Sequence, residues 1–382
     1  MESIYLDHNA TTPPDPEVIE AVTACLRGAY GNPSSVHAFG LKARHLIDKA
    51  RAAAARLVGA QPEEIVFTAG GTEADNLAVL GTVAASKRER PQVVTTAIEH
   101  QAILNPCRHV GLSGGSVRFL GVDENGVIDP EEAAAAATGE TVLFSIMLAN
   151  NDVGTIQPVG AVSSLLRGRG VLLHTDAVQA VGKIPVNVRS LCVDLMSFSG
   201  HKFHGPKGAG ALYIRKGVAV SPRTFGGRQE RSMRPGTENV AAIAGFGKAC
   251  ELAAKRLEED AARVGAMRDA FEAAVLARVQ GVTVNGAGAP RLPNTSNISF
   301  EGVESDALSL NLDLLGVAAS TGAACSSADR EPSHVLIAMG RTPAQARSSV
   351  RFSFGRGNNA DEALRAADIV ARAVESIRDV NR

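Results

Sequence analysis

From residue 64 onward, short continuous apolar runs alternate with longer stretches whose apolar positions recur at three- and four-residue spacing. The runs at 64–68, 92–96, 116–120, 142–147, 171–175, 193–198 and 210–214 read as strands buried on both faces. Strands of that kind separated by helices predict a mostly parallel sheet with helices on both sides. Upstream, 16–26 and 39–58 predict helices, joined by the loop Gly31-Asn32-Pro33-Ser34-Ser35-Val36-His37. After Pro235-Gly236-Thr237 an alanine-rich helical pattern runs over 238–279, long enough to bridge two domains. The character then shifts. Strands are expected at 282–284, 295–300 and 349–354, a helix at 305–315, and a closing helix at 361–380 with Leu364, Ala367, Ala371 and Val374 on one face. The alanine run 133–137 suits an exposed helix. The expected fold class is α/β: a large, mostly parallel sheet domain over 15–260, and a smaller α+β domain formed by 1–14 and 261–382.

A chain of 382 residues exceeds the usual size of a single core, which agrees with two domains. Hydrophobic residues make up 45% and aromatic residues only 4%, so Ala, Val, Leu and Ile must build the interior. A net charge of −1 gives no reason to expect nucleic acid or an anionic membrane as a partner. No run reaches the length of a membrane span. The first residues lack the basic start and apolar stretch of a signal peptide, and a cytoplasmic enzyme is the expectation. The five cysteines are odd in number and widely spaced, which argues against a disulfide framework or a zinc site, and no metal centre is expected. Cys25, Cys107, Cys192 and Cys250 sit in apolar or helical segments and are expected to be small buried hydrophobes. Cys325 stands instead in Ser320-Thr321-Gly322-Ala323-Ala324-Cys325-Ser326-Ser327-Ala328, a run of small residues read as an exposed loop where a thiol can act as a nucleophile.

Candidate chemistry gathers just past the strands, where open α/β sheets bind ligands. Lys202 follows the strand at 193–198 in Ser199-Gly200-His201-Lys202-Phe203-His204-Gly205-Pro206-Lys207-Gly208. Desolvation there would lower its pKa, and a neutral amine can form the Schiff base that pyridoxal phosphate requires. Lys207, inside the turn, reads as a surface residue. Gly70-Gly71-Thr72 opens a helix and suits a phosphate, although Thr72 could equally cap that helix. Asp176 could pair with a pyridinium nitrogen or cap a following helix. His100 could stack on a flat ring, carry a proton, or satisfy local hydrogen bonds. Asn150-Asn151 could bind a ring oxygen or cap a loop. Arg351 could hold a carboxylate bidentately or serve a structural ion pair.

Taken in order, Tyr5-Leu6-Asp7-His8-Asn9-Ala10-Thr11-Thr12, Gly31-Asn32-Pro33-Ser34-Ser35, Asn150-Asn151-Asp152-Val153-Gly154, His174-Thr175-Asp176-Ala177-Val178-Gln179, Ser199-Gly200-His201-Lys202 and Arg234-Pro235-Gly236-Thr237-Glu238-Asn239 resemble the cysteine desulfurases of the NifS/IscS type, in the class V aminotransferase group. The resemblance covers nearly the whole chain. It implies a fold type I pyridoxal 5′-phosphate enzyme, with the cofactor on the larger domain and the Cys325 loop on the smaller. Lys202 would hold the cofactor, Asp176 would face its pyridine nitrogen and Gln179 its ring hydroxyl, and His100 would stack on the ring. Gly71, Thr72, Ser199 and His201 would form the phosphate site, with Thr237 reaching in from the partner of a homodimer. Asn151 would lie beside the cofactor, while Arg351 and Asn32 would hold the substrate carboxylate. Cys325 would accept sulfur from L-cysteine, leaving L-alanine, and pass it to a sulfur acceptor or iron–sulfur scaffold protein; transient contact of Cys325 with a cluster belongs to the same expectation. Asp152 stands where glutamate is usual, Gly71 where alanine is frequent, and Ser326 where threonine is common. The alternatives are a selenocysteine lyase, another class V transaminase, which would need no cysteine in a loop, or a sulfur-carrier platform that binds a scaffold without turnover.

Overall fold

The computed structural model describes residues 3–321 and 331–380. The chain opens on β1 (Ile4–Tyr5), then builds its main sheet from β2 (Ile65–Thr68), β3 (Gln92–Thr96), β4 (Ser116–Leu120), β5 (Thr141–Ser145), β6 (Leu172–Asp176), β7 (Leu195–Ser199) and β8 (Gly210–Ile214). The order across the sheet is β2-β8-β7-β6-β5-β3-β4. Strands β4, β3, β5, β6 and β7 pair in parallel, while β8 runs antiparallel to both β7 and β2. Six strands therefore share one direction, and their carboxyl ends open on one edge.

Continuous apolar runs are needed because neighbouring residues of a strand face opposite helical layers. Phe67, Val94, Phe144 and Met196 point into a core shared with the helix Ala38–Val58 and the start of the helix Val240–Arg278. Val66, Val93, Leu143 and Leu195 point the other way, onto the helices Gly71–Ala85 and Gln101–Leu112. Each such side chain contributes about 1.5–3 kcal/mol by leaving water. On the edge strand β4 this rule relaxes, and Phe119 is exposed.

The helix Val240–Arg278 serves two cores. Ile243, Phe246 and Cys250 belong to the main sheet's core, whereas Val264, Met267 and Phe271 belong to a second cluster with Ile4, Leu6, Phe300, Phe352 and Val370. Around this second core lie β9 (Val282–Val284), β10 (Thr295–Phe300) and β12 (Ser349–Ser353), an antiparallel sheet of order β12-β10-β9. Strand β11 (Val317–Ala318) pairs in parallel with β1, which brings the first residues of the chain to its C-terminal part.

Three expectations need correction. The closing helix, Ala360–Val380, buries Ala363, Ala366, Ala367, Val370, Ala373 and Val374, while Leu364 is 44% exposed. Small alanines face inward because the helix packs against Val240–Arg278, and a leucine would hold the two apart. The alanine run 133–137 begins in the helix Pro130–Ala135 and continues past its end, and its Ala133, Ala134 and Ala136 are buried rather than exposed. Cys192 is exposed in a left-handed conformation, φ 52°, just after the short helix Val188–Leu191.

Candidate active site

Two adjacent strand ends organise the site: β6 ends on Asp176 and β7 on Ser199. Beyond Ser199 the backbone turns tightly through Gly200–Lys202. A side chain at Gly200 would put its Cβ 2.8 Å from the Phe246 ring, so only glycine lets this turn lie on the core. The turn carries Lys202 across the mouth of the sheet. Its Nζ donates to the carbonyl oxygens of Asn9 at 2.5 Å and Ala10 at 2.9 Å. Burial, reinforced by the Arg351 charge and opposed by Asp176 and Asp7, brings the Lys202 amine down to about 8. An appreciable neutral fraction follows near neutral pH. Lys207, the rival in the same loop, is exposed.

Beside this lysine lies an anion cradle. The helix Gly71–Ala85 is capped by Gly70 with no side-chain hydrogen bond to its first turn, so Thr72 is the second helical residue and not the cap. The helix enters close to the sheet, where a Cβ on Gly71 would meet Val178 Cγ2 at 2.7 Å. Ser199 Oγ is buried there without a hydrogen-bond partner. An orphaned hydroxyl at the positive end of a helix suits a phosphate. His201 completes this side: its Nδ1 lies 3.2 Å from Thr11 Oγ1, and burial followed by the Lys202 charge holds the ring down to about 4, hence neutral.

At the sheet's floor, Asp176 Oδ1 accepts from the Val178 N–H at 2.8 Å. No helix begins at this point, so Asp176 closes a turn and caps nothing. Burial raises its pKa, against the N–H of Val178 and the charges of His100 and Lys202. Among the described residues no lysine or arginine forms an ion pair with it, so a cationic ring nitrogen suits this carboxylate. His100 caps the helix Gln101–Leu112, its Nδ1 accepting from Ala102 N at 3.1 Å. That bond places the proton of the neutral ring on Nε2. Burial lowers its pKa first, with Asp176 and Lys202 as its charged neighbours. Gln179 donates through Nε2 to Asn9 O at 2.9 Å.

Arg351, on β12, spans both parts of the chain. One guanidinium nitrogen meets Asp7 Oδ1 at 2.8 Å and the other donates to Asn151 O at 3.1 Å, while Nε is buried without a partner. Arg351 thus makes an ion pair with Asp7. Asn150 is buried and caps its own loop, accepting from the Asp152 and Val153 N–H groups. Asp152 accepts from Asn297 Nδ2 at 3.2 Å and from Ser333 Oγ at 2.5 Å. Cys325, the expected nucleophile, lies outside the described residues.

Asn32 and Thr237 stand apart. Both are exposed, and among the described residues no hydrogen bond links either to Lys202 or Arg351. Asn32 Oδ1 accepts from Ser34 N within its own loop. The segment ahead of Thr237 is held by a buried pair: Arg51 meets Glu230 through two bonds of 2.6 and 2.7 Å, and Glu230, Arg231 and Ser232 all adopt positive φ. Three left-handed residues in a row cost roughly 1–2 kcal/mol each, and the bidentate pair fixes Glu230 in that segment. Arg234 then meets Glu73 at 2.9 Å, beside the cradle.

Reading the sequence missed several groups at this site. Asn9 gathers bonds from Lys202, Gln179, Lys183 and Asn294. Lys183 lies four residues past Gln179 and bonds to it. Behind Asp176, His174 sits between Ser145 Oγ at 2.8 Å and Ser197 Oγ at 3.0 Å, held neutral by burial at about 3. Glu99 is fully buried, and burial pushes its carboxyl up to about 8.

Comparison with known proteins agrees with this arrangement. Residues 4–365 match the family model described as Aminotransferase class-V. The chain is 44% identical to the cysteine desulfurase IscS of Dictyoglomus turgidum, over 99% of this chain and 96% of that protein. It is 43% identical to the putative cysteine desulfurase IscS 1 of Bacillus subtilis, over 99% of this chain and 100% of that one. Among solved structures, a NifS-like protein superposes with a TM-score of 0.91 at 36% identity, covering 98% of this chain and 100% of its own. The NifS-like protein of Rickettsia africae gives 0.87 at 33%, covering 99% and 100%. An amine-bearing lysine, an orphaned phosphate-side hydroxyl and an uncompensated buried carboxylate thus stand on a fold whose relatives match end to end, and the chain belongs to the class-V aminotransferase family of pyridoxal-phosphate enzymes.

Proposed function

We propose that this protein is a cysteine desulfurase, converting L-cysteine to L-alanine and leaving the sulfur as a persulfide on Cys325. The observation that carries this reading is the half-buried Lys202 amine, lowered to about 8 and facing Asp176 across the strand ends. Bound pyridoxal phosphate supplies an electron sink for the bond cleaved at the substrate Cα. The chain's own residues do the rest. Gly71, Thr72, Ser199 and His201 hold the phosphate, Asp176 keeps a proton on the ring nitrogen, Gln179 donates to the ring hydroxyl, and His100 and Asn151 flank the ring. Arg351, with Asn32, binds the substrate carboxylate. Lys202 takes the Cα proton. The Cys325 thiolate then attacks the substrate sulfur; an S–S bond forms as the C–S bond breaks, its electron pair stays on carbon, and protonation gives alanine.

A homodimer is part of this reading: Thr237 is exposed and would complete the phosphate site of the partner, and Asn32 is exposed as well. Tyr30, Val36 and Phe225 are exposed as well, and a second copy would cover them. The proposed division is a cofactor-binding domain over 15–260 and a smaller domain of 1–14 and 261–382 carrying Cys325, in keeping with the two cores. Among the described residues no helix is long and apolar enough to cross a membrane. A cytoplasmic enzyme that hands sulfur to an acceptor or iron–sulfur scaffold protein fits that. The test is incubation of the holoprotein with L-cysteine and a thiol reductant. Equal amounts of alanine and sulfide support the proposal; keto-acid formation without sulfide, or turnover of selenocysteine alone, overturns it.

A further inference from the structure

Lys183 is a second lysine at the site, and the chemistry above leaves it without a task. It follows Gly182, whose positive φ of 77° turns the chain and whose missing Cβ would lie 2.5 Å from Phe203 Cβ. Lys183 and Lys202 line one small cavity of about 50 Å³ together with His8, Thr12, His204 and Arg356. Lys183 Nζ donates to Gln179 Oε1 at 2.6 Å and to Asn9 Oδ1 at 2.9 Å. On its other side the Gln179 amide is engaged through Nε2, which donates to Asn9 O at 2.9 Å.

We propose that Lys183 is a positioning residue that fixes the amide of Gln179 so that it presents only N–H to the bound cofactor. An amine on lysine has at least two N–H donors in either charge state, and here it faces two amide oxygens. The oxygen of Gln179 is thereby committed to Lys183. Its NH2 group has two donors, one engaged by Asn9 O, which leaves one for a ligand. A flipped amide would set its NH2 against the lysine N–H groups and its oxygen against the oxygen of Asn9. Both Asn9 oxygens have other partners: the main-chain O also accepts from Lys202 Nζ, and Oδ1 also accepts from Asn294 while Nδ2 donates to Thr295 Oγ1 and Asn151 O. An amide that can only donate selects an anionic ring oxygen on the cofactor and stabilises it.

This inference rests on the pyridoxal-phosphate reading and on Gln179 facing the ring oxygen. A donor to that oxygen stabilises its anion and eases loss of the proton it shares, so losing the donor raises the pH midpoint of the cofactor's visible band. The charged or titratable groups facing Lys183 are Lys202, Arg351, His8 and His201, and the cavity it lines also holds His204, Arg356 and Asp260, so charge and donor have to be varied separately. In holoprotein, Lys183→Met and Gln179→Met should each raise the midpoint by roughly one pH unit, the scale of one charge-assisted hydrogen bond. The double variant should shift no further than either single one. Lys183→Gln keeps an N–H but no charge, and should shift by less than half as much as Lys183→Met. An unmoved midpoint in Lys183→Met, additive shifts in the double variant, or equal shifts in Lys183→Gln and Lys183→Met each overturn the proposal. A wild-type protein with no visible band after reconstitution would instead fail the cofactor reading, a separate outcome. If Lys183→Met does not fold, the comparison of Lys183→Gln with Gln179→Met decides: a full-sized shift in Lys183→Gln overturns the inference, and a small one supports it.

Discussion

The amine of Lys202 donates to the main-chain oxygen of Asn9 at 2.5 Å, across 193 residues of sequence. Asn9 thereby ties the first strand's continuation to the ends of β6 and β7, and its side chain reaches Asn294 and Thr295 in the C-terminal part. The lysine is thus held by neutral carbonyl oxygens rather than by a carboxylate. Such partners align the amine without fixing its positive charge, and burial is free to lower the pKa.

Lys202 should therefore be more reactive than the exposed lysines of the cofactor-free protein. Reductive labelling with a small aldehyde, followed by peptide mass mapping, is expected to modify Lys202 ahead of exposed lysines, with half-maximal rate near pH 8. With pyridoxal phosphate, Lys202→Ala should lose the visible band and Lys207→Ala should keep it. The opposite pair of results would refute the assignment.

The buried hydroxyl of Ser199 makes no hydrogen bond, so its removal costs the empty protein little and the loaded one more. Ser199→Ala is expected to leave the unfolding free energy of the cofactor-free protein within about 0.5 kcal/mol of wild type. Its affinity for pyridoxal phosphate should fall by roughly 10-fold, the value of one hydrogen bond to a charged group. Urea melts and equilibrium titration measure the two quantities separately. Unchanged affinity would place the phosphate elsewhere.

The strands of the main sheet could be read from sequence because burial on both faces leaves an apolar run bounded by glycine or polar turns, a signal that needs no partner. Direction was not legible: β8 looks like its neighbours yet runs against them, since only the short connection from Ser199 to Gly210 sets its course. The closing helix shows the same limit, for its inward face is chosen by the helix it packs on, and Leu364 yielded to alanines. Lys202 and Asp176 were legible because they stand at or just past strand ends, whereas the role of Ser199 came only with the family resemblance. Lys183 and Asn9 were not, since each matters through hydrogen bonds to residues distant in sequence or to a side chain whose orientation no spacing reveals.

Glu99 gives a pH dependence with a definite sign. Burial raises its carboxyl from 4.5 to about 8, so the folded protein keeps the proton where the unfolded chain has lost it. The stability this confers is fully present below about 4.5 and is lost as pH rises through about 8, by on the order of 1 kcal/mol per pH unit across that window. Glu99→Gln mimics the neutral acid and can still accept from Thr96 and Met147 N. It should match wild type near pH 4.5 and be more stable at pH 8 and above. Denaturant melts from pH 5 to 9 test this, and parallel curves for the two proteins would mean that Glu99 is ionised when folded.

The cysteines allow the transfer step to be isolated. Burial raises the thiol of Cys107 to about 12, that of Cys250 well above the ordinary value, and that of Cys25 by a smaller amount. None of these three can supply a thiolate at neutral pH. Cys192 is different: it is exposed, its Sγ donating to Arg189 O at 3.1 Å, so it is the control that Cys325 requires. Proton abstraction needs Lys202 and the ring, whereas C–S cleavage needs a nucleophile at the substrate sulfur, and the two should separate in a variant. Cys325→Ser is expected to keep the cofactor and to change spectrum on adding L-cysteine, yet to form almost no alanine or persulfide. Cys192→Ser should turn over as wild type does. Persulfide mapping by mass spectrometry after one turnover should find the added sulfur on Cys325, and finding it on Cys192, with activity surviving in Cys325→Ser, would move the nucleophile to Cys192.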